Sequence, residues 1–183
     1  MSDAPKLLPI SQENWPEEAM HLRDDFAGKL NVYRVMAHHP ALLSAWADLR
    51  QHVVKDTALG PAFSEVVILR TGHRLGAAYE WVHHVSRARA LGFDEARIAS
   101  IKGDAGEMAA DDSVLTGAVD ELFDAKRLSA ETQAAVVALV GVEGMMDLIA
   151  TVGFYSTLGY ILQSFDTPLE DWIKAELAAK PAP

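Results

Sequence analysis

The chain has 183 residues, half of them hydrophobic, a formal net charge of −10 and no cysteine. That length and apolar content support one domain with a substantial core. The acidity argues against wrapping nucleic acid or lying on an anionic membrane, since both need a cationic footprint, and the lack of cysteine excludes disulfides, thiolate metal sites and thiol catalysis.

Residues 1–15 carry Pro5, Pro9 and a polar run, and read as an extended arm ahead of one domain over 16–183. No basic segment followed by an apolar run opens the chain, so no signal peptide is expected and the expected location is cytoplasmic. Pro16 with Glu17 and Glu18 predicts a helix start, running to Ala27 and stopping at Gly28. A short helical stretch follows over 31–38, with Val32, Val35 and Met36 on one face. Pro40 opens the next helix, in which Leu42, Leu43, Trp46, Leu49 and Val53 recur at helical spacing.

Two helices are predicted over 61–75 and 77–91, ended by Gly76 and Gly92. Asp94 caps a short helix to about Ile101, and 102–112 reads as a polar loop. Leu115, Val119, Leu122 and Phe123 put an amphipathic helix over 114–123. Ser129 caps another through Val140. The segment 143–165 is the most apolar and is expected to be the most buried; its run 148–162 falls short of the about 20 residues a membrane span needs. Gly141, Gly144, Gly153 and Gly159 suggest close helix–helix approach there, including against a second copy. Thr167-Pro168-Leu169-Glu170 reads as a capping box opening a final helix. Nothing alternates with period two for long, so the expected fold is all-α, a helical bundle with short connections that assembles as a homo-oligomer.

The stretch 65–90, EVVILRTGHRLGAAYEWVHHVSRARA, sets two carboxylates, two adjacent histidines, a Tyr and a Trp among core-forming residues. Such groups are costly to bury unless paired. Glu80 lies four residues before His84 on one helix face, and in an antiparallel pair Glu65 would face Ala77 or Glu80. A carboxylate beside an imidazole orients the ring and favours its charged form. Two acids and one histidine therefore suit acid–base catalysis at neutral pH. A plain surface pair of Glu80 and His84 satisfies the same spacing. His83 and His84 point apart, so one of them at most serves a single site. His38 and His39, before Pro40, read as helix-end residues.

HHPALLSAW, EVVILRTGHRLG, AYEWVHHVSRARALGF and TVGFYSTLGYILQSF resemble the carboxymuconolactone decarboxylase-like superfamily, which includes the alkylhydroperoxidase AhpD. The likeness runs over about 31–170. It implies an AhpD-like, oligomeric all-α fold. The family's peroxidase branch has a Glu, a Cys twelve residues on, a second Cys three further and a His four beyond. Those positions hold Glu65, Ala77, Glu80 and His84 here. Acid and base remain and both thiols are gone, so thiolate attack on peroxide is not expected. The decarboxylase branch, which also dispenses with the cysteine pair, acts on small carboxylated lactones. By that resemblance Glu65, Glu80 and His84 are the catalytic candidates. Arg70, Arg74 and Arg87 are available to bind a carboxylate, and Tyr79 and Trp81 to wall the substrate pocket. No cofactor and no metal are expected, although two acids and one imidazole would suit a mononuclear metal. The partners expected are a small-molecule substrate and further copies of the chain, with no nucleic acid and no membrane. The rival reading is a catalytically silent oligomeric binding module.

Overall fold

The computed structural model describes residues 6–183, so the first five residues of the expected arm lie outside the described residues. Nine helices follow one another: α1 (Met20–Arg23), α2 (Asn31–Met36), α3 (Pro40–Gln51), α4 (Gly60–Leu75), α5 (Ala78–Ala90), α6 (Glu95–Ser100), α7 (Ala110–Ala125), α8 (Ala130–Ser164) and α9 (Asp171–Ala179), with no strand among the described residues. Short 3₁₀ turns flank α1, and a π turn, His52–Asp56, extends α3. The fold is the all-α arrangement that the sequence pattern implies.

Local signals set many of the ends. Asp94 accepts from the Arg97 backbone N–H and opens α6, and Ser129 does the same for Thr132 at the start of α8. Gly76 ends α4 in the left-handed conformation, at φ 64°, which a side chain would strain. The helix expected over 16–27 is cut to the single turn of α1. The Trp15 indole donates to the Ala19 carbonyl at 2.9 Å, competing for the acceptor that a longer helix uses. Trp15 and Ile10 pack with α2 and α3 in the same core, and Ile10 N–H donates to the Arg34 carbonyl.

α4 is the hub. It packs on α5, α7 and α8, and every residue from Ser64 to Gly72 is buried. One core cluster joins α1–α3 to the C-terminal half of α8, through Leu43, Val53, Phe154 and Leu158. The other joins α4–α7 to its N-terminal half, through Val66, Leu69, Leu115 and Leu148.

α8 breaks at Gly141, whose φ of 75° and ψ of 177° are not helical, between the two helices expected over 129–140 and 143–165, but its burial departs from expectation. Length and apolarity alone would let it span a membrane, yet only 33% of its most apolar 18-residue window is buried in the fold. The reason is geometric: α4, α7, α5 and α2 take one face of α8, and its outer face keeps apolar residues that no neighbour covers. α9 also starts differently. Glu170 makes no side-chain cap, because its carboxylate is used elsewhere.

Candidate active site

The α4–α5 hairpin builds the site. The chain reverses at Gly76, and Ala77 N–H donates back to the Gly72 carbonyl at 2.9 Å, so α5 returns antiparallel along α4. Glu65, eleven residues before Gly76, meets His84, eight residues after it, and not Ala77 or Glu80. His84 Nδ1 lies 2.6 Å from Glu65 Oε2, and His84 Nε2 lies 3.6 Å from Glu80 Oε2. All three side chains are buried, and Tyr155 from α8 sets its ring edge against the imidazole.

The electrostatics separate the three roles. Burial pushes the Glu80 carboxyl up to about 8; Arg87 opposes the rise, and Glu170 and Glu65 add to it. Burial likewise lowers the His84 imidazole, and the Glu65 charge only partly offsets this. At neutral pH Glu80 is a neutral acid and His84 a neutral base, so their contact is not an ion pair. Glu80 Oε1 is buried without a hydrogen-bond partner. The ring stands between the acids, each on its own nitrogen, and among the described residues no group of His, Asp and Glu converges on a point where a metal ion would sit.

Glu80 and His84 line a cavity of about 120 Å³, walled by Val32, Tyr33, Val54, Tyr155 and Leu158. It adjoins a wider vestibule of about 600 Å³, and the two share Leu30, Arg50, Arg87 and Trp172. Lys29 and Lys55 complete the vestibule's cations, with Asp25 as its acid. An acidic protein thus presents four cations at this one mouth.

Of the other candidates, Tyr79 lines the cavity with its ring, but its hydroxyl donates to Glu170 Oε1 at 2.5 Å. Arg70 and Arg74 face the other way. Arg70 clasps Asp120 through two nitrogens, at 2.8 and 2.5 Å, and donates to the Ile101 and Gly103 carbonyls. Arg74 pairs with Asp120 and Asp124. α7 packs on that face of α4 and its carboxylates claim both guanidiniums. Trp81 lies in the α4–α7 core, with Lys102 Nζ 4.2 Å above its ring, and does not line the cavity. The cations that do line it are Arg87, three residues after His84, and Arg50, which no sequence signal marked. Also unmarked was the knot beside the cavity. Glu170 accepts from the Asn31 N–H and the Tyr79 hydroxyl and lies 2.7 Å from His83 Nε2, while His83 Nδ1 reaches the Tyr79 carbonyl at 2.8 Å.

The comparisons with known proteins bear on the fold. Residues 40–121 match the model of the carboxymuconolactone decarboxylase family. No protein of curated function matches the chain in sequence. Among solved structures, a variant of the debrominase Bmp8 in complex with 2,3,4-tribromopyrrole superposes with a TM-score of 0.71 at 14% identity, over 98% of this chain and 99% of that one. An uncharacterized peroxidase-related protein from Silicibacter sp. TM1040 gives 0.73 at 12% identity, over 94% and 97%. An AhpD-core, peroxidase-related protein from Ralstonia eutropha JMP134 gives 0.74 at 14% identity, over 93% and 96%. These identities speak to fold alone. The two positions where the family resemblance places thiols are Ala77, buried where α5 begins, and the cavity acid Glu80. The carboxymuconolactone decarboxylase family match thus covers residues 40–121, and the AhpD-like fold is shared over nearly the whole of this cysteine-free chain.

Proposed function

We propose that the protein carries out cysteine-independent acid–base chemistry on a small carboxylate or lactone, with Glu80 as the proton donor. One observation carries the reading: a buried carboxyl held neutral to about pH 8, one oxygen without a partner, lines a cavity and stands beside a neutral imidazole. A decarboxylation or related lyase step leaves an electron pair on carbon as an enolate. Glu80 gives its proton to that carbon, a C–H bond forms, and the carboxylate left on Glu80 takes a proton back from solvent or through His84. Glu65 orients the ring by holding Nδ1 and stabilises its charged form. His84 serves as the relay and not as the donor, because burial disfavours its proton.

The test is a turnover screen over small lactones and carboxylates, with peroxide as the negative control. Glu80→Gln and His84→Ala should each lower kcat by about 10²- to 10⁴-fold on any substrate found. An infrared band of a protonated carboxyl should be present at pH 7, titrate near pH 8 and vanish in Glu80→Gln. Unchanged turnover in both variants would overturn the assignment of Glu80 and His84, and no turnover of any compound in the screen would favour the binding module over the enzyme.

We also infer that the chain works as a homo-oligomer joined through α8. Val142, Met146, Ile149 and Tyr160 are 62, 58, 39 and 59% exposed and fall on one face around Gly153, where a Cβ would meet nothing within 4 Å. Such a stripe is self-complementary about a two-fold axis. Met146→Lys should halve the mass measured by light scattering, and an unchanged monomer mass in both proteins would refute the assignment.

A further inference from the structure

Arg50 is buried, only 9% of the residue being exposed, yet among the described residues no carboxylate lies within ion-pair distance of its guanidinium, and its buried Nε has no hydrogen-bond partner. Removing a guanidinium from water costs several kcal/mol unless an anion compensates. What surrounds Arg50 does not compensate. The Phe26 ring lies 4.3 Å beneath it, an attraction far short of a counter-ion. The Tyr33 phenol beside it is neutral, its pKa pushed up to about 12 by burial against the pull of Arg50. Glu80 is neutral at physiological pH for the reason given above. Arg87, half-buried on α5, is also outside every ion pair among the described residues, and it lines the same two spaces.

We propose that Arg50 and Arg87 are an anion seat at the neck between vestibule and inner cavity, filled by the carboxylate of a substrate with about one ring's bulk. The carboxylate supplies the charge that Arg50 lacks, and planar guanidinium matches carboxylate in paired hydrogen bonds. The size limit comes from the inner cavity. An apolar cavity of about 150 Å³ takes up benzene, so the space of about 120 Å³ behind the neck admits a ring of that order and little more. With the anion at the neck, the ring is directed at Glu80 and His84, which line that space. Lys29 and Lys55 in the outer vestibule attract the anion toward the neck. This deepens the acid–base reading by naming the substrate class, and it is tested by binding alone.

The probe is benzoate, titrated calorimetrically at low ionic strength into wild type and into Arg50→Met, Arg87→Gln, Glu80→Gln and His84→Ala. Benzoate should bind wild type and bind Glu80→Gln and His84→Ala comparably, while affinity falls about 10- to 100-fold in each arginine variant. Melting supplies a second readout. Benzoate should raise the wild-type Tm and leave that of Arg50→Met unmoved. In benzoate-free buffer Arg50→Met should melt no lower than wild type, since it removes an uncompensated charge. If Arg50→Met does not fold, Arg87→Gln carries the comparison. Equal benzoate affinity in wild type and the arginine variants, or no binding to wild type, would overturn the seat. Inorganic phosphate binding wild type as tightly as benzoate would overturn the ring-sized carboxylate. Loss of turnover in Glu80→Gln with arginine-independent benzoate binding would sink this inference and keep the catalytic one; arginine-dependent binding with intact turnover in Glu80→Gln would do the reverse.

Discussion

Glu170 and Glu80 are carboxyls of similar burial, 8% and 4% exposed, set against the same helix, and the fold treats them in opposite ways. Around Glu170 every neighbour is a partner: the Asn31 N–H, the Tyr79 hydroxyl and the His83 ring. Burial pushes its pKa up, but those hydrogen bonds outweigh the push and hold it below the usual carboxylate range. Glu80 keeps an oxygen with no partner and is pushed up to about 8. The adjacent histidines divide likewise, His83 into the saturated knot and His84 into the cavity. Arg70 and Arg50 repeat the contrast, one clasped by Asp120 and two carbonyls, the other without an anion. A saturated cluster holds elements together. An unsaturated one beside a cavity leaves hydrogen-bonding capacity for a ligand, and its cost is expected where function requires it.

Breaking the saturated side should have the largest effect on stability. Glu170→Ala strands the Asn31 N–H, the Tyr79 hydroxyl and His83 at once, and should cost about 3–5 kcal/mol in urea unfolding. Because Glu170 opens α9, amide exchange there should accelerate more than in α4. Arg70→Met, which leaves two carbonyls without their donor and Asp120 with Arg74 alone on the α4–α7 face, should cost about 3 kcal/mol. If either variant were as stable as wild type, the distinction between the two kinds of cluster would collapse.

The unsaturated side should show itself in pH dependence. The Glu80 pKa is raised from 4.5 unfolded to about 8 folded. Between these values the folded state keeps a proton that the unfolded state has lost. Its contribution to stability is therefore whole below pH 4.5 and declines as pH rises to about 8, by about 1.4 kcal/mol per pH unit at most. Glu80→Gln removes this decline. Unfolding free energies measured from pH 5 to pH 9 should diverge in favour of the variant as pH rises and agree near pH 5. His84 acts in the opposite sense: its lowered folded pKa takes stability away as pH falls below 6.5. A parallel pair of curves would mean that Glu80 is ionised in the folded protein.

Much of the fold was legible in the sequence because the signals were local. Gly76, Gly92, the Asp94 cap and the Ser129 cap mark helix ends by chemistry within a few residues. The site was legible only as far as the hairpin reached, which is why Glu65, Glu80 and His84 are found together. Arg70 and Arg74 turn to the α7 carboxylates and away from the cavity, which the sequence did not show because helical spacing does not say which neighbour a face will meet. Arg50 was invisible because its significance arises from what α2, α5 and α8 fail to provide. Glu170 fits a capping box by spacing, but partners 87 to 139 residues away along the chain claim it.

The smallest expected effects concern the hairpin that both clusters share, and they should differ in sign between two neighbouring glycines. Gly72 has helical geometry, and a Cβ there would stand 3.5 Å from Glu80 Cβ and from the Trp81 nitrogen, ordinary contact distances. Gly72→Ala should therefore gain part of the about 1 kcal/mol that alanine offers in a helix interior, while holding α4 and α5 at their present separation. Gly76 has open space around it but a φ of 64°, so Gly76→Ala should lose about 1 kcal/mol to backbone strain despite meeting no atom. Thermal melts of the two variants check the signs. If Gly72→Ala were the destabilising one, α4 and α5 would have to lie closer than described, with no room for a Cβ between Gly72 and the Glu80–Trp81 turn of α5.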